Sequence, residues 1–156
     1  MGVRELDGLD KQIVYALQED ARRTSSSDIA EKLDVSPSTV RNRIQQLEAD
    51  GVIRGYHADV DYEETGFQLF TLIVCTAPIP EREELAEKAV DVSGVVEVQE
   101  VMKGEGNVLV RAVGTDGDDL SRIGEELDEL GLKVTDEDII RDTHRHPYHQ
   151  FENGGE

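Results

Sequence analysis

The spacing of apolar residues changes period part-way along the chain, and this change limits the possible folds more than any other feature. Up to about residue 50, apolar side chains recur at the three- and four-residue intervals of amphipathic helices. Beyond about residue 68, apolar strand-like runs alternate with helical patterns in the order β-α-β-β-α-β. The 156 residues therefore predict two small domains of an α+β protein.

The first half predicts a helix-turn-helix. Residues 10–19 have the apolar spacing of a first helix. A second helix begins after Ser25, whose distance from Asp28 matches a capping box with Asp in place of Glu. Ser36 is placed to cap a third helix, with Pro37 at the first helical position, where its missing N–H costs nothing.

A strand pair is predicted directly after the third helix. Gly51 is suited to end that helix in a left-handed conformation. Residues 52–53 and 56–60 are rich in β-branched and aromatic side chains, with a turn expected near Arg54. Three helices and a strand pair predict a winged helix-turn-helix domain over residues 1–62.

The second half predicts a ferredoxin-like domain over residues 63–142. Strands are expected at residues 68–76, 95–102, 107–113 and 134–141, and helices at residues 81–92 and 120–130. This order is the split βαβ arrangement of ferredoxin-like folds. Residues 143–156 are polar and are expected to form a frayed C-terminal tail.

The net charge of −19 is unusual for a protein that would bind nucleic acid. Residues 1–62 hold 8 basic and 12 acidic side chains, whereas residues 63–156 hold 8 basic and 23 acidic ones. In molar salt the Debye length is about 3 Å, so dense surface carboxylates barely repel one another. The charge therefore predicts a halophile protein that works in molar salt, where close basic contacts would hold DNA.

The third helix has a polar face that could enter a major groove. If Val40 and Ile44 face the core, Ser38, Asn42 and Gln45 lie on the opposite side. Asparagine and glutamine can bind adenine edges, and flanking arginines can reach phosphates or guanines. The candidate DNA-binding residues are Arg22, Arg23, Ser36, Ser38, Thr39, Arg41, Asn42, Arg43, Gln45 and Arg54.

An ordinary solvated helix face is the alternative for this surface. The stretch between Ser36 and Gln46 contains no acidic residue, although the chain as a whole is strongly acidic. This local scarcity of acids favours DNA binding.

Three stretches, residues 29–33, 35–44 and 47–56, resemble the DNA-binding half of the Lrp/AsnC (feast/famine) regulators. They read IAEKL, VSPSTVRNRI and LEADGVIRGY, and the resemblance continues to Asp142. It implies homodimers formed by pairing of the second-half sheets, assembled further into tetramers or octamers. A dimer of this kind implies an inverted-repeat operator in double-stranded DNA.

The resemblance also implies an effector, commonly an amino acid, bound near the turn between the second and third strands. The candidate residues are Gly104, Glu105, Gly106 and Asn107. The family has an aromatic residue where this chain has Gly106 and an acid where it has Asn107, so a carboxylate partner for an ammonium group is lost. Asn107 could still hydrogen-bond a ligand, and a simple glycine hairpin turn is the alternative.

The remaining chemistry-bearing residues are few. His144, His146 and His149 could hold a transition metal if the tail wraps, and a frayed tail is the alternative. Cys75 lies in an apolar run and is expected to be a core residue, since one cysteine excludes an internal disulfide. No cofactor is predicted.

Two other classes of protein remain open. One is an enzyme on the same two-domain plan, similar to decarboxylases of modified tetrapyrroles, and the other is a metabolite-binding assembly module without DNA affinity. The chain has no P-loop and no zinc-binding His-Glu motif, and its intact SPSTVR sequence favours DNA binding over catalysis. Since it also has neither a signal peptide nor an apolar run of membrane-spanning length, we expect a cytoplasmic protein without membrane contact.

Overall fold

The computed structural model describes residues 5–67 and 69–155. The chain divides into two compact units, the first containing residues up to Ala58 and from His144 onward, and the second running from Asp59 to Thr143. The C-terminal segment was expected to fray, but the structure assigns it to the first unit. There its 3₁₀ turn, His149–Phe151, packs against the first helix of the chain.

Three helices form the first unit: α1 (Gly8–Asp20), α2 (Ser26–Leu33) and α3 (Pro37–Ala49). The capping box of α2 is confirmed, because Asp28 N donates to Ser25 Oγ at 3.0 Å and Ser25 N donates to Asp28 Oδ2 at 3.0 Å. Ser36 caps α3 as expected, with Pro37 in the first turn. The unit's core consists of the buried residues Ile13, Ile29, Ala30, Val40 and Leu47.

The turn between α2 and α3 depends on a left-handed residue. Asp34 has φ 55° and ψ 50°, and its N–H donates to the Ala30 carbonyl to close the end of α2. Asp is one of the few residues besides glycine that adopts this conformation with ease. The turn brings α2 and α3 into contact around the shared core.

The strand pair predicted after α3 is wrong for the described residues: no strand occurs between residues 51 and 67. Val52 N and Ile53 N both donate to the carbonyl of Leu47, at 2.9 and 3.1 Å, so the backbone is folded onto the end of α3. The following segment is neither helix nor strand up to residue 61, and its apolar side chains Tyr56 and Val60 are 48% and 42% exposed. An alternating apolar pattern is not sufficient for a strand, because a strand also needs a neighbouring strand with which to form hydrogen bonds.

The second unit is a four-stranded antiparallel sheet in the order β2-β3-β1-β4. Its elements are β1 (Leu69–Thr76), α4 (Arg82–Ala89), β2 (Val95–Glu100), β3 (Val108–Gly114), α5 (Gly117–Glu129) and β4 (Lys133–Ile139). The ferredoxin-like order is confirmed. Gln68, the expected start of β1, lies outside the described residues.

Strand β1 lies in the middle of the sheet, paired with β3 on one side and β4 on the other. Thr71, Ile73 and Cys75 are buried, while the intervening Leu72 and Val74 are half-buried. This alternation shows that α4 and α5 cover one face of the sheet, where the core lies. The edges are β2 and the acidic β4.

Cys75 is a core residue, as expected. Its side chain is fully buried, and desolvation raises the pKa of the thiol to about 12, with Glu137 contributing less. A thiol of this kind is neutral and unreactive at physiological pH. Within the described residues, no helix is both long enough and apolar enough to cross a membrane.

Candidate nucleic-acid interface

Three hydroxyl groups cluster at the N-terminal end of α3. Ser36 Oγ accepts a hydrogen bond from Thr39 N at 3.2 Å and lies 2.8 Å from Thr39 Oγ1 and 3.1 Å from Ser38 Oγ. The first turn of a helix has unpaired N–H groups and the positive end of the helix dipole. This end of α3 is therefore suited to contact a phosphate.

The outward face of α3 is polar and exposed. Val40 and Leu47 are fully buried, whereas Ser38, Arg41, Asn42 and Gln45 are exposed. The structure thus brings four of the predicted contact residues onto one helix, on the side away from the core. A cation and two amides on one accessible helix face have the chemistry that a base edge or phosphate requires.

Arg43 differs from its neighbours, because it forms ion pairs within the protein. Its Nη1 lies 2.6 Å from Asp7 Oδ2 and 3.1 Å from Asp10 Oδ1. The hydrogen bond from Arg43 holds the pKa of Asp7 below its usual value, and the same bond raises the pKa of Arg43. The sequence analysis predicts that Arg43 contacts DNA, whereas in the structure Arg43 forms ion pairs with two carboxylates at the start of α1.

The other predicted arginines lie outside α3. Arg22 and Arg23 follow the end of α1, where Arg23 N donates to Asp20 Oδ1 at 3.0 Å. Arg54 lies in the segment after α3 that is neither helix nor strand. All three side chains are exposed and could reach a phosphate backbone.

The turn between β2 and β3 gives Asn107, one of the predicted effector residues, a structural role. Asn107 is fully buried, its Oδ1 accepts from Ala77 N at 2.8 Å, and its Nδ2 donates to the Ala77 carbonyl at 2.9 Å. Gly106 has φ 57° and donates to Thr76 Oγ1 at 2.8 Å. The side-chain amide therefore joins two segments of backbone, and only Gly104 and Glu105 of the predicted effector residues are exposed.

The histidines of the C-terminal segment do not form a metal site among the described residues. His146 and His149 stack with ring centroids 3.9 Å apart and planes 4° apart, and Tyr15 of α1 meets His146 edge-on. No group of three His, Cys, Asp or Glu side chains in the described ranges could hold an ion. Packing against α1 accounts for this segment better than the metal hypothesis does.

Sequence reasoning missed the ion-pair cluster of Arg43, Asp7 and Asp10. The two acids are three residues apart at the start of α1 and form its capping box, a local signal that could have been found. Their partner is 33 and 36 positions away, so no local pattern indicates it.

Known proteins resemble this chain over both units. Residues 6–54 match the family described as winged helix-turn-helix DNA-binding. The HTH-type transcriptional regulator LrpA of Pyrococcus horikoshii is 36% identical over 121 residues, covering 76% of this chain and 82% of the relative. LrpA1 of Halobacterium salinarum, also an HTH-type transcriptional regulator, is 46% identical over 67 residues, covering 43% and 46% of the two chains.

A solved structure extends the comparison to three dimensions. The crystal structure of a transcriptional regulator of Neisseria meningitidis in complex with L-Met matches with a TM-score of 0.71 and 26% identity, covering 92% of this chain and 94% of that one. The long alignment with LrpA, the matched DNA-binding domain and the common fold agree. The chain therefore belongs to the Lrp/AsnC family of helix-turn-helix transcriptional regulators.

Proposed function

We propose that α3 is the recognition helix and that it binds double-stranded DNA through the major groove. Its exposed face, which carries no acidic residue between Ser36 and Gln46, supports this proposal best. Asn42 and Gln45 have amides that can pair with adenine, and Arg41 can reach guanine or phosphate. At the start of the helix, the hydroxyls of Ser36, Ser38 and Thr39 contact the phosphate backbone of the DNA.

The exposed arginines outside α3 add phosphate contacts. Arg22, Arg23 and Arg54 supply charge without base specificity, so they fix the protein on the duplex. The ion-paired Arg43 is left out of this set of direct contacts because both its carboxylate partners compete with phosphate.

The regulator acts as a homodimer that is extended to tetramers or octamers. Apolar side chains on the sheet face opposite the helices support pairing between copies, since Leu72, Val74 and Leu109 there are only half-buried in a single chain. Two recognition helices related by a twofold axis would read half-sites about 34 Å apart, one turn of DNA. The operator is therefore an inverted repeat.

A small-molecule effector, such as an amino acid, modulates this assembly. The L-Met complex of the Neisseria relative supports that class of ligand. In this chain any contact at the β2–β3 turn falls to the exposed Gly104 and Glu105, because the amide of Asn107 is bonded to Ala77. Modulated DNA binding, without catalysis, is the proposed activity.

The protein works in the cytoplasm of a halophile, where DNA is reached in molar salt. The relative in Halobacterium salinarum and the net charge of −19 support this source. Molar salt screens carboxylates over about 3 Å, so the acidic residues beyond the interface hardly oppose DNA binding.

Gel-shift titrations in molar KCl test the interface. Arg41→Ala should weaken binding to every sequence and flatten its salt dependence, because it removes a cation. Asn42→Ala should cost about 1–3 kcal/mol on the preferred site and relax specificity there. Glu129→Gln on α5 is the control and should change affinity little. If neither Arg41→Ala nor Asn42→Ala alters binding, α3 is not the recognition helix.

A further inference from the structure

A cluster of three charged side chains, Asp7, Asp10 and Arg43, joins the start of α1 to the middle of α3. Asp7 is the N-cap of α1, and Asp10 N donates to Asp7 Oδ1 at 2.9 Å to form its capping box. Both carboxylates also accept from Nη1 of Arg43, at 2.6 and 3.1 Å. One guanidinium group therefore connects the end of one helix to the side of another.

Burial makes this contact a constraint on α3. The side chain of Asp10 is 3% exposed, whereas those of Arg43 and Asp7 are 34% and 55% exposed. A buried carboxylate is costly when its counter-charge is removed. A rotation of α3 that withdraws Arg43 would break its ion pair with the buried Asp10, so the cluster favours one orientation of the helix.

Direct DNA contact would use the same guanidinium group. Nη1 of Arg43 already donates to two carboxylates, so a phosphate that approached this guanidinium group would meet two negative charges beside it. Arg41, two residues earlier, is exposed and can reach DNA without such competition. The two arginines of α3 therefore have different roles.

We infer that Arg43 is a positioning residue: through Asp7 and Asp10 it sets the orientation in which α3 presents Arg41 and Asn42, and it does not itself contact DNA. This inference rests on the proposed recognition role of α3. On this reading, one residue of α3 orients the helix and other residues of α3 touch the duplex.

The direction in which DNA affinity changes in one variant, Asp7→Asn, tests whether Arg43 acts as a positioning residue. Removing a carboxylate from a DNA-binding unit lowers its repulsion of phosphates, so Asp7→Asn should leave binding unchanged or slightly stronger in molar KCl if Asp7 acts only as a charge. If Asp7 holds α3 through Arg43, the same change should weaken binding about three- to tenfold. Asparagine is as good an N-cap as aspartate, so the start of α1 is preserved.

Glu31→Gln is the matched control. It removes the same charge from the exposed surface of α2 in the same unit. Affinity should stay constant or rise slightly in this variant, because only the electrostatic effect operates.

Fluorescence anisotropy in molar KCl, on a labelled duplex that the wild type selects from a randomised pool, measures these effects. We expect Asp7→Asn and Arg43→Gln to lower affinity by similar factors, with the double variant no worse than either one. The dependence of affinity on salt should stay at the wild-type slope, since no phosphate contact is lost. Unchanged or higher affinity for Asp7→Asn, or a flatter salt slope for Arg43→Gln, would overturn the inference.

Amide chemical shifts of α3 in the free protein give a readout that needs no DNA. Asp7→Asn and Arg43→Gln should shift the same amides along Pro37–Ala49, whereas Glu31→Gln should not. Different shift patterns for the first two variants would contradict the positioning role. Failure of the wild type to select any duplex would instead contradict the proposed function, and the shifts would still decide this inference.

Discussion

At the scale of single residues, two threonines of β1 place similar hydroxyls in opposite situations. Thr71 is 1% exposed, and its Oγ1 has no hydrogen-bond partner among the described residues. Thr76 Oγ1 accepts from Gly106 N at 2.8 Å. A buried hydroxyl without a hydrogen-bond partner lowers the free energy of unfolding, whereas a hydrogen-bonded one offsets the loss of its bonds to water.

Thr71→Val should therefore raise the free energy of unfolding by about 1 kcal/mol, because it replaces an unpaired buried hydroxyl by a methyl group of similar size. Thr76→Val is the matched control and should lower it by about 1 kcal/mol, since Gly106 N loses its acceptor. Urea unfolding in molar KCl measures both changes. Equal destabilisation by the two variants would show that the Thr71 hydroxyl has a partner in solution.

At the scale of elements, the turn between α2 and α3 sets how the two helices of the DNA-binding motif meet. Its left-handed residue, Asp34, can be tested with two variants that have the same net charge as each other. Asp34→Gly and Asp34→Val remove the same carboxylate, but only valine is β-branched and strongly disfavours positive φ. Asp34→Val should destabilise the first unit by about 1–2 kcal/mol relative to Asp34→Gly. Thermal unfolding followed by circular dichroism compares them, and equal midpoints would mean that the turn relaxes.

The elements also show how far sequence predicted this protein. Both caps of the helix-turn-helix were predictable because Ser25 and Ser36 bond to residues three positions away. The strands expected at residues 52–60 were not, because strand formation needs a distant partner that an alternating pattern does not identify. For the same reason, the sequence does not indicate that Asn107 bonds to Ala77, 30 positions away.

At the scale of the whole molecule, the two units differ strongly in net charge. Residues 59–143 hold 7 basic and 23 acidic side chains, while the rest of the chain holds 9 basic and 12 acidic ones. Part of the excess is concentrated on β4, an edge strand with the consecutive exposed acids Asp136, Glu137 and Asp138. Helix α5, which packs against β4, adds further carboxylates on its outer face. Repulsion within the second unit should therefore be the first to rise when salt is removed.

We expect the protein to unfold as KCl is withdrawn, with the second unit losing structure before the first. The Debye length grows from about 3 Å at 1 M to about 30 Å at 0.01 M, so carboxylates on α5 and β4 that are screened in molar salt repel one another at low salt. Circular dichroism during dialysis follows the loss of structure, and hydrogen exchange assigns it to a unit.

The triple variant Asp136→Asn, Glu137→Gln, Asp138→Asn keeps side-chain size while removing three charges, so its unfolding transition should move to lower KCl. Light scattering at each step records whether oligomers persist while the sheet is intact. Full retention of structure and mass at low ionic strength would exclude a salt-dependent fold, and unfolding of the first unit before the second would show that net charge does not decide the order.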